Sequence, residues 1–449
     1  MPIRFSGCLY SFPEVTMVDI NPDDKFIIPP FNGRNGNLYL YNINIVDLAR
    51  ERGTPLLITS EEILEKNYFS IHNAFKKYYR NFRINYAVKA NSNPSILSVF
   101  RKLGSGADVA SLGELFLARF AGFEKEKIMM TSNFSSAEVL EFARDSGITL
   151  NFDDVDQLEL IKQKVPDIVS FRINPGIGGG EFPGIVTGGH GSKFGIPEEF
   201  ANKTYRYAMG LGVKRFGIHM HGGSNNLDKN YFKAITEKFF RIARDLEKSL
   251  NIEFEFIDIG GGFGVPYRPD EELLDMNAVA ENIIENFNMH FSGKNEPLLM
   301  VEPGRYLVAN STVLLGKITT IKNYDKKIIG TDIGMNLLIR PALYNAYHHI
   351  TIANRLNAQL SDDVTIVGQV CENTDKIAEN RKFPITESND IICVFNAGAY
   401  VYSMSSNYNG FLRPEEILVS KDSKTYVIRE RESYSDLIKN VKMPSYLYY

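Results

Sequence analysis

A regular alternation of short apolar runs and longer amphipathic runs, from about residue 55 to residue 310, most limits the possible folds. The short runs predict eight buried strands: INYAVK, GADVAS, KIMMTS, ITLNF, DIVSFR, FGIHMH, FEFIDIG and PLLMVEPG. Between them apolar residues recur at three- and four-residue intervals, as in NYFKAITEKFFRIARDLEKSL, which predicts helices. Repeated strand and helix units build a parallel sheet, and eight of them predict an α/β fold, a (β/α)8 barrel of TIM type.

The pattern changes after about residue 311 to short β-rich runs separated by turn residues, which predicts a C-terminal, mainly-β domain. The first 50 residues contain NLYLYNINI and are more similar to this part than to the barrel. We therefore expect an N-terminal segment at 1–50 that packs with the β domain, a barrel at 51–310 and the β domain at 311–449. The glycine-rich stretch 175–195 is expected to be a mobile active-site loop.

The composition favours a globular protein that binds a small molecule. Apolar residues make up 44% and charged residues 23% of the chain, and a net charge of −4 gives no reason to expect nucleic acid or an anionic membrane as partner. Three cysteines, Cys8, Cys371 and Cys393, are too few for a disulfide framework and predict a reducing compartment. Since we find neither a signal-peptide pattern nor a run of about 18 apolar residues, we expect a cytoplasmic protein.

Polar residues accumulate at the predicted C-terminal ends of the strands, which in such a barrel converge on one mouth. They are Lys89, Asp108, Ser111, Ser132, Arg172, His221, Gly260, Gly261, Gly262, Glu302 and Arg305. Lys89 follows an apolar strand, and a dry barrel mouth would lower its pKa and make it a nucleophile for an aldehyde. A lysine at a strand end is also often simply solvated, so this residue alone does not identify the chemistry.

Three further motifs at the predicted mouth suggest a bound cofactor. Glycines 260–262 could cradle a phosphate with their N–H groups, or form only a sharp turn. Glu302 could pair with a protonated ring nitrogen or with Arg305, which could itself bind a carboxylate or phosphate. His219 and His221 have the spacing of a metal pair, but without a third ligand we expect no metal and prefer a histidine that stacks on a flat cofactor. Together with Lys89, these groups describe a pyridoxal phosphate site.

The chain resembles the fold-type III pyridoxal-phosphate decarboxylases, the ornithine/diaminopimelate/arginine decarboxylase family, over nearly its whole length. The motifs occur in the family's order: YAVKANSN, GADVASLGEL, SKFGI, HMHGGS, IDIGGGFG, EPGRYLV, DIGMNLLIRPALYNAYH, CENTD and GAYVYSMSSNYNGFLRPEE. The resemblance implies an alanine racemase-like barrel with a β domain, pyridoxal 5'-phosphate as cofactor, and a homodimer with shared active sites. The branch that converts meso-2,6-diaminopimelate to L-lysine and CO2, the last step of lysine biosynthesis, is the most similar.

Three alternatives remain open at this stage. A related decarboxylase would act on ornithine, a D-amino acid or a carrier-bound amino acid. A non-catalytic homologue would bind cofactor or a partner protein, and a phosphate-binding barrel enzyme would work without pyridoxal phosphate.

The resemblance also implies roles for individual residues. Lys89 would hold the cofactor covalently, His221 would stack on its ring, and Glu302 would keep its ring nitrogen protonated. The implied cofactor-binding residues are Lys89, Asp108, Arg172, His221, Ser224, Gly260, Gly261, Gly262, Glu302, Gly304, Arg305 and Tyr400. The implied substrate-binding residues are Arg305, Arg340, Tyr344, Glu372 and Tyr400.

Cys371 directly precedes Glu372 in the motif GQVCENTD. Composition alone favours a small core residue at position 371, whereas the resemblance implies that the partner subunit delivers both residues to the barrel mouth. Glu372 would then meet the distal ammonium of the substrate, and either Cys371 or Lys89 would return the proton after CO2 leaves. We predict Lys89 and Cys371 as catalytic residues and assign Cys8 and Cys393 to packing.

Overall fold

The computed structural model of the chain describes residues 25–180, 187–189, 191–293 and 296–447. Cys8 and residues 1–24 of the predicted N-terminal segment lie outside these ranges, as does part of the predicted loop 175–195. Within the described ranges, no helix combines the length and the apolar character needed to cross a bilayer.

The predicted barrel is confirmed, because eight parallel strands close into one sheet. They are Phe82–Ala87, Gly106–Val109, Ile128–Ser132, Thr149–Phe152, Ile168–Asn174, Arg215–His219, Phe254–Asp258 and Leu298–Val301. Leu298–Val301 pairs with Phe82–Ala87, and Thr149–Phe152 pairs with Ile168–Asn174, so no edge is left open in the ring. Each of the eight runs expected from the sequence forms one of these strands.

Helices surround the barrel, and their apolar stripes explain their positions. They are Glu61–Lys76, Pro94–Lys102, Leu112–Phe120, Ala137–Asp145, Val155–Leu160, Glu198–Gly210, Lys229–Leu250 and Met276–Phe291. In Lys229–Leu250 the side chains of Phe232, Ile235, Phe239 and Ile242 recur at helical spacing and are buried. Asp228 caps the first turn by accepting a hydrogen bond from the Asn230 N–H.

The C-terminal domain is mainly β, as expected. Its strands are Leu56–Ser60, Thr312–Asn323, Lys327–Thr331, Ile350–Ile352, Leu360–Val367, Lys376–Pro384, Ile391–Val394, Glu415–Val419 and Thr425–Arg429, with short helices at Arg340–Tyr344 and Tyr434–Ile438. The strand Leu56–Ser60 corrects the predicted start of the barrel at residue 51. Leu56–Ser60 pairs with Thr312–Asn323 and Glu415–Val419, so residues 56–60 belong to the sheet of the β domain. All five of its side chains are buried, a pattern that suits a strand in either sheet.

The described part of the N-terminal segment packs with the β domain. It forms the strands Phe31–Arg34, Asn37–Leu40 and Ile43–Asn44, followed by the helix Ile45–Arg52. Leu38, Leu40 and Ile45 share a buried apolar cluster with Val313 and Cys393. Cys393 is fully buried there, in agreement with its assignment to packing.

Candidate active site

A cavity of about 200 Å³ opens where the mouth of the barrel meets the β domain. Its lining combines barrel residues with residues that come after position 339. The wall consists of Ala87, Lys89, Thr187, Phe194, His221, Ser224, Gly262, Phe263, Glu302, Gly304, Arg305, Arg340, Tyr344, Tyr400 and Met404. Ten of the residues implied to bind cofactor or substrate are therefore brought to one place, although they are spread over more than 300 positions of the sequence.

Lys89 lies in this cavity with its ammonium 2.8 Å from Oδ2 of Asp108. Burial alone would lower the pKa of Lys89, but the negative charges of Asp108 and Glu302 outweigh that effect and raise the pKa above its ordinary value. The lowered pKa expected from the sequence is therefore wrong for this state of the site. The amine is a charged partner of Asp108, and it must give up a proton before it can attack an aldehyde.

Glu302 follows the strand Leu298–Val301 and is almost fully buried. Its Oε2 lies 3.1 Å from Nε2 of His219. Burial opposes ionisation of Glu302, but the His219 ring together with Lys89 and Arg172 lowers its pKa, so the side chain is a carboxylate. Its other oxygen, Oε1, is buried and finds no hydrogen-bond partner among the described residues. Since Glu302 lines the cavity, it can accept a hydrogen bond from the protonated ring nitrogen of pyridoxal phosphate, and the site fits that cofactor.

His219, Asp258 and Glu302 form a buried group whose ligand atoms lie within 4.8 Å of one another. The sequence pattern paired His219 with His221 and indicated no third metal ligand, whereas this group contains His219 without His221. Oδ1 of Asp258 accepts a hydrogen bond from the Gly260 N–H at 2.8 Å. Burial, reinforced by the charge of Glu302, raises the pKa of Asp258 well above its ordinary value and so favours the neutral form of its carboxyl group.

The glycines after Asp258 are required by close backbone approach. A Cβ at Gly261 would lie 2.2 Å from the Glu302 carbonyl oxygen, and one at Gly262 would lie 2.8 Å from that of Gly223. Gly262 also has a φ of +94°, which disfavours a side chain. The Gly260 N–H already donates to Asp258 and the Gly261 N–H to His221, and only Gly262 of the three lines the cavity. The phosphate cradle therefore stays a prediction.

His221 has a fixed, neutral ring at the cavity wall. Its Nδ1 accepts a hydrogen bond from the Gly261 N–H at 3.1 Å, which leaves the proton on Nε2. Burial lowers the pKa of His221 well below its ordinary value, and the charges of Arg172 and Lys89 lower it further. An uncharged, oriented imidazole is suited to stacking on a flat ring.

Two arginines approach the cavity from different domains. Arg305 donates hydrogen bonds to the Tyr267 hydroxyl at 2.9 Å and to Oγ of Ser224 at 3.2 Å, and its guanidinium lies 4.8 Å from the centre of the Tyr400 ring. Arg340 begins the short helix Arg340–Tyr344 and is almost fully buried, although it lines the cavity. Tyr400 has a φ of +63°, uncommon for a bulky residue, and its N–H bonds to the Ala90 carbonyl next to Lys89.

Some predicted site residues lie outside the cavity wall. Asp108 contacts Lys89, and Arg172 donates hydrogen bonds to the carbonyls of Thr187 and His221, so both act behind the wall. Gly260 and Gly261 are also absent from the lining. Cys371 and Glu372 are exposed and do not line the cavity of their own chain. The Cys371 N–H donates a hydrogen bond to Oδ1 of Asn409, and the Tyr408 hydroxyl donates one to the Glu372 carboxylate.

Sequence reasoning missed several residues of the wall and its support. These are Ala87, Thr187, Phe194, Phe263 and Met404 in the lining, and Asp258, Tyr267 and His348 behind it. His219 was expected only as half of a possible metal pair, whereas it contacts Glu302. Asp258 ends a strand, so the strand-end rule could have found it. Tyr267 and His348 lie in loops, where that rule does not apply.

Known proteins are similar to this chain over almost its full length. Residues 66–309 match the family described as pyridoxal-dependent decarboxylase, pyridoxal binding domain. The diaminopimelate decarboxylase of Methanothermobacter thermautotrophicus is 41% identical over 416 residues, which covers 92% of this chain and 97% of that protein. The diaminopimelate decarboxylase of Archaeoglobus fulgidus is 38% identical over 423 residues, which covers 93% of this chain and 100% of that protein. The crystal structure of diaminopimelate decarboxylase from M. jannaschii with L-lysine has a TM-score of 0.85 at 33% identity, and covers 93% of this chain and 98% of that one.

Proposed function

This chain belongs to the pyridoxal-dependent decarboxylases, and from that premise we propose that it removes one carboxylate of meso-2,6-diaminopimelate to give L-lysine and CO2. It is a carboxy-lyase with pyridoxal 5'-phosphate as its cofactor. The observation that carries the choice of substrate is the buried guanidinium of Arg340 in the wall of the cavity that holds Lys89. A substrate with a second carboxylate can pair with this cation, whereas ornithine has no group for it.

The described residues supply binding and orientation for the cofactor. When bound, pyridoxal phosphate provides an electron-accepting ring that stabilises the charge left on the α carbon as CO2 departs. Lys89 would hold it through its amino group, and Ser224 and the N–H groups near Gly262 would contact its phosphate. Oε1 of Glu302 would accept a hydrogen bond from the protonated ring nitrogen of the cofactor, and the lowered pKa of Glu302 supports this role. The neutral ring of His221 would stack on the cofactor face.

The other end of the substrate would be held by groups that recognise an amino acid. Arg340, Tyr344 and Arg305 would bind the distal carboxylate, and Arg340 and Arg305 are ordered by neighbours before any ligand arrives. Glu372 would accept a hydrogen bond from the distal ammonium. A buried site of this kind discriminates strongly against an amine that lacks the carboxylate, because its polar groups would lose their partners.

We infer a homodimer with shared active sites, supported by the exposed position of Cys371 and Glu372 outside their own chain's cavity. If Cys371→Ala abolishes turnover as Lys89→Ala should, mixing the two kinds of chain tests this directly. Random pairing makes half of the molecules mixed dimers with one intact site each, so about a quarter of the wild-type activity should return. No recovery after subunit exchange would contradict shared sites. A cytoplasmic location is also proposed, and it rests on the low cysteine content.

The test of the proposed activity compares CO2 release from meso-2,6-diaminopimelate, ornithine and lysine at equal concentrations. We expect activity with the first substrate to exceed that with the other two by a factor on the order of 10⁴, as for sites that pair with a polar group of the substrate. Lys89→Ala should abolish turnover, the visible absorption of the bound cofactor and its trapping on the chain by borohydride. Equal rates on the three amino acids would refute the substrate, and a colourless wild-type protein that borohydride cannot label would refute the chemistry.

A further inference from the structure

We propose that His348, which lies behind the cavity wall, is a positioning residue that orients Arg340 and so determines specificity for a substrate with a distal carboxylate. The inference rests on the proposed function, since it takes Arg340 to be the partner of that carboxylate. His348 belongs to the sequence NAYHH that follows the helix Arg340–Tyr344, and it is completely buried.

The two hydrogen bonds of His348 determine where its proton lies. Nδ1 lies 2.9 Å from the carbonyl oxygen of Phe395. A carbonyl oxygen only accepts hydrogen bonds, so Nδ1 carries the proton. Nε2 then presents a lone pair, and Nη1 of Arg340 donates to it at 2.8 Å. The backbone at Phe395 thereby selects the tautomer that can hold the guanidinium.

Tyr267 completes the support of Arg340. The guanidinium lies 4.5 Å from the centre of the Tyr267 ring, and the same ring meets His348 edge-on at 5.2 Å. The Tyr267 hydroxyl accepts a hydrogen bond from Arg305. Arg340 is therefore held on one face by an aromatic ring and at one nitrogen by an imidazole. This arrangement fixes its orientation before substrate binds.

The surroundings of His348 keep its ring uncharged. Burial lowers the pKa of His348 well below its ordinary value, and the charges of Arg340, Arg305 and Arg381 lower it further. Arg381 donates a hydrogen bond to the His348 carbonyl oxygen, and the Tyr267 ring packs edge-on against the imidazole. A protonated ring would turn an N–H toward the Arg340 cation, so the neutral form is the one that works as a support.

Fixing the guanidinium in advance matters for recognition of a carboxylate. A free arginine side chain samples many rotamers, and a guanidinium binds a carboxylate best when both planes are aligned. Without Nε2 of His348 as hydrogen-bond acceptor, the guanidinium of Arg340 would have to be ordered by the substrate itself. Affinity for the distal carboxylate would fall, whereas cofactor binding and the reacting end would be unaffected.

Two amide variants, each of which reaches the position of one ring nitrogen, separate the roles of the two nitrogens. In His348→Gln, the amide oxygen reaches the position of Nε2 and can accept the hydrogen bond from Arg340. In His348→Asn, the shorter amide reaches only the position of Nδ1, where it can donate to the Phe395 carbonyl. A role confined to packing predicts no advantage of glutamine over asparagine.

The measurements use the cofactor-loaded enzyme and two ligands, L-lysine and 1,5-diaminopentane. Lysine retains the carboxylate that decarboxylation leaves behind, and the diamine lacks it. For His348→Asn we expect the lysine Kd and the KM for meso-2,6-diaminopimelate to rise about tenfold, the loss expected for one hydrogen bond to a charged group. The diamine Kd, kcat and the visible absorption of the cofactor should stay unchanged, and His348→Gln should recover most of the lost affinity.

Several outcomes would overturn the inference. Three results would show that His348 does not orient Arg340 for a carboxylate. The two variants could weaken lysine binding equally, the asparagine variant could bind lysine more tightly than the glutamine variant, or His348→Asn could weaken binding of lysine and of the diamine equally. Failure of the proposed function is distinguishable, because the wild-type enzyme would then release no CO2 from meso-2,6-diaminopimelate. The imidazole ¹⁵N spectrum of the wild-type protein tests the tautomer without any variant. A charged ring, or one with its proton on Nε2, contradicts the proposal.

Discussion

The carboxyl group of Glu416 provides a quantitative prediction about pH and stability. Glu416 is completely buried in the strand Glu415–Val419, and its Oε2 accepts a hydrogen bond from Nδ2 of Asn93 at 2.7 Å. Asn93 caps the helix Pro94–Lys102 and lies four positions after Lys89, so the pair links the β domain to the active-site segment. Burial raises the pKa of Glu416 to about 7, although the bond from Asn93 and the charge of Arg429 lower it in part.

The direction of the effect follows from proton binding. The pKa in the folded protein lies above the ordinary value of 4.5, so between these two values the folded state binds more protons than the unfolded state. Stability contributed by this group is therefore complete below about pH 4.5 and is lost as pH rises through about 7. For these two pKa values the loss between pH 5 and pH 8 amounts to about 2.5 kcal/mol of the free energy of unfolding.

Glu416→Gln removes the titration and keeps an oxygen that can accept from Asn93. The free energy of unfolding of the variant, relative to that of wild type, should therefore rise by about 2.5 kcal/mol between pH 5 and pH 8. Calorimetry at both pH values measures the Tm of the variant minus the Tm of wild type. If the 449-residue chain unfolds as a unit, this difference should be about 3 °C larger at pH 8 than at pH 5. Glu430→Gln, at an exposed position nearby, controls for the loss of one negative charge. A Tm difference for Glu416→Gln that is the same at both pH values would refute the reasoning.

Three further predictions concern the active site. Glu302→Gln should lower kcat by about a hundredfold or more, because a neutral amide does not keep the ring nitrogen protonated; an unchanged kcat in steady-state assays would exclude this role. Gly262→Ala should weaken cofactor binding about tenfold by fluorescence titration, whereas Gly212→Ala, with a similar φ of +91° and open space, should lose stability without losing cofactor affinity. If Cys371 returns the proton, Cys371→Ser in D2O should give lysine with mixed configuration at the deuterated carbon, whereas a single configuration at full rate would assign the proton to Lys89.

The barrel could be predicted because its signal is local. Each strand is a short apolar run and each helix has its own apolar stripe, so periodicity reports both without knowledge of their partners. The boundary at residue 51 was wrong because LLITS is buried on both faces, and such a run gives no sign of the sheet to which it belongs. Its partners lie more than 250 positions away, in Thr312–Asn323 and Glu415–Val419.

The pKa shifts and the buried hydrogen bonds of the site could not be predicted from the sequence. A strand-end lysine was expected to have a lowered pKa, yet Asp108 and Glu302 come from other strands and reverse the sign. Similarly, nothing near His348 in the sequence indicates that its two nitrogens meet Arg340 and the carbonyl of Phe395. Such effects depend on distances of a few ångströms between residues that the fold alone brings together.

The sequence by itself therefore determined the barrel, the β domain, the family and the set of motif residues, because periodicity and motifs are properties of neighbouring positions in the chain. Only the tertiary structure decided which of those residues share a cavity, which carry charge and which support others from behind. Those properties arise from burial and from contacts across long sequence separations, as in the support of Arg340 by Tyr267 and His348.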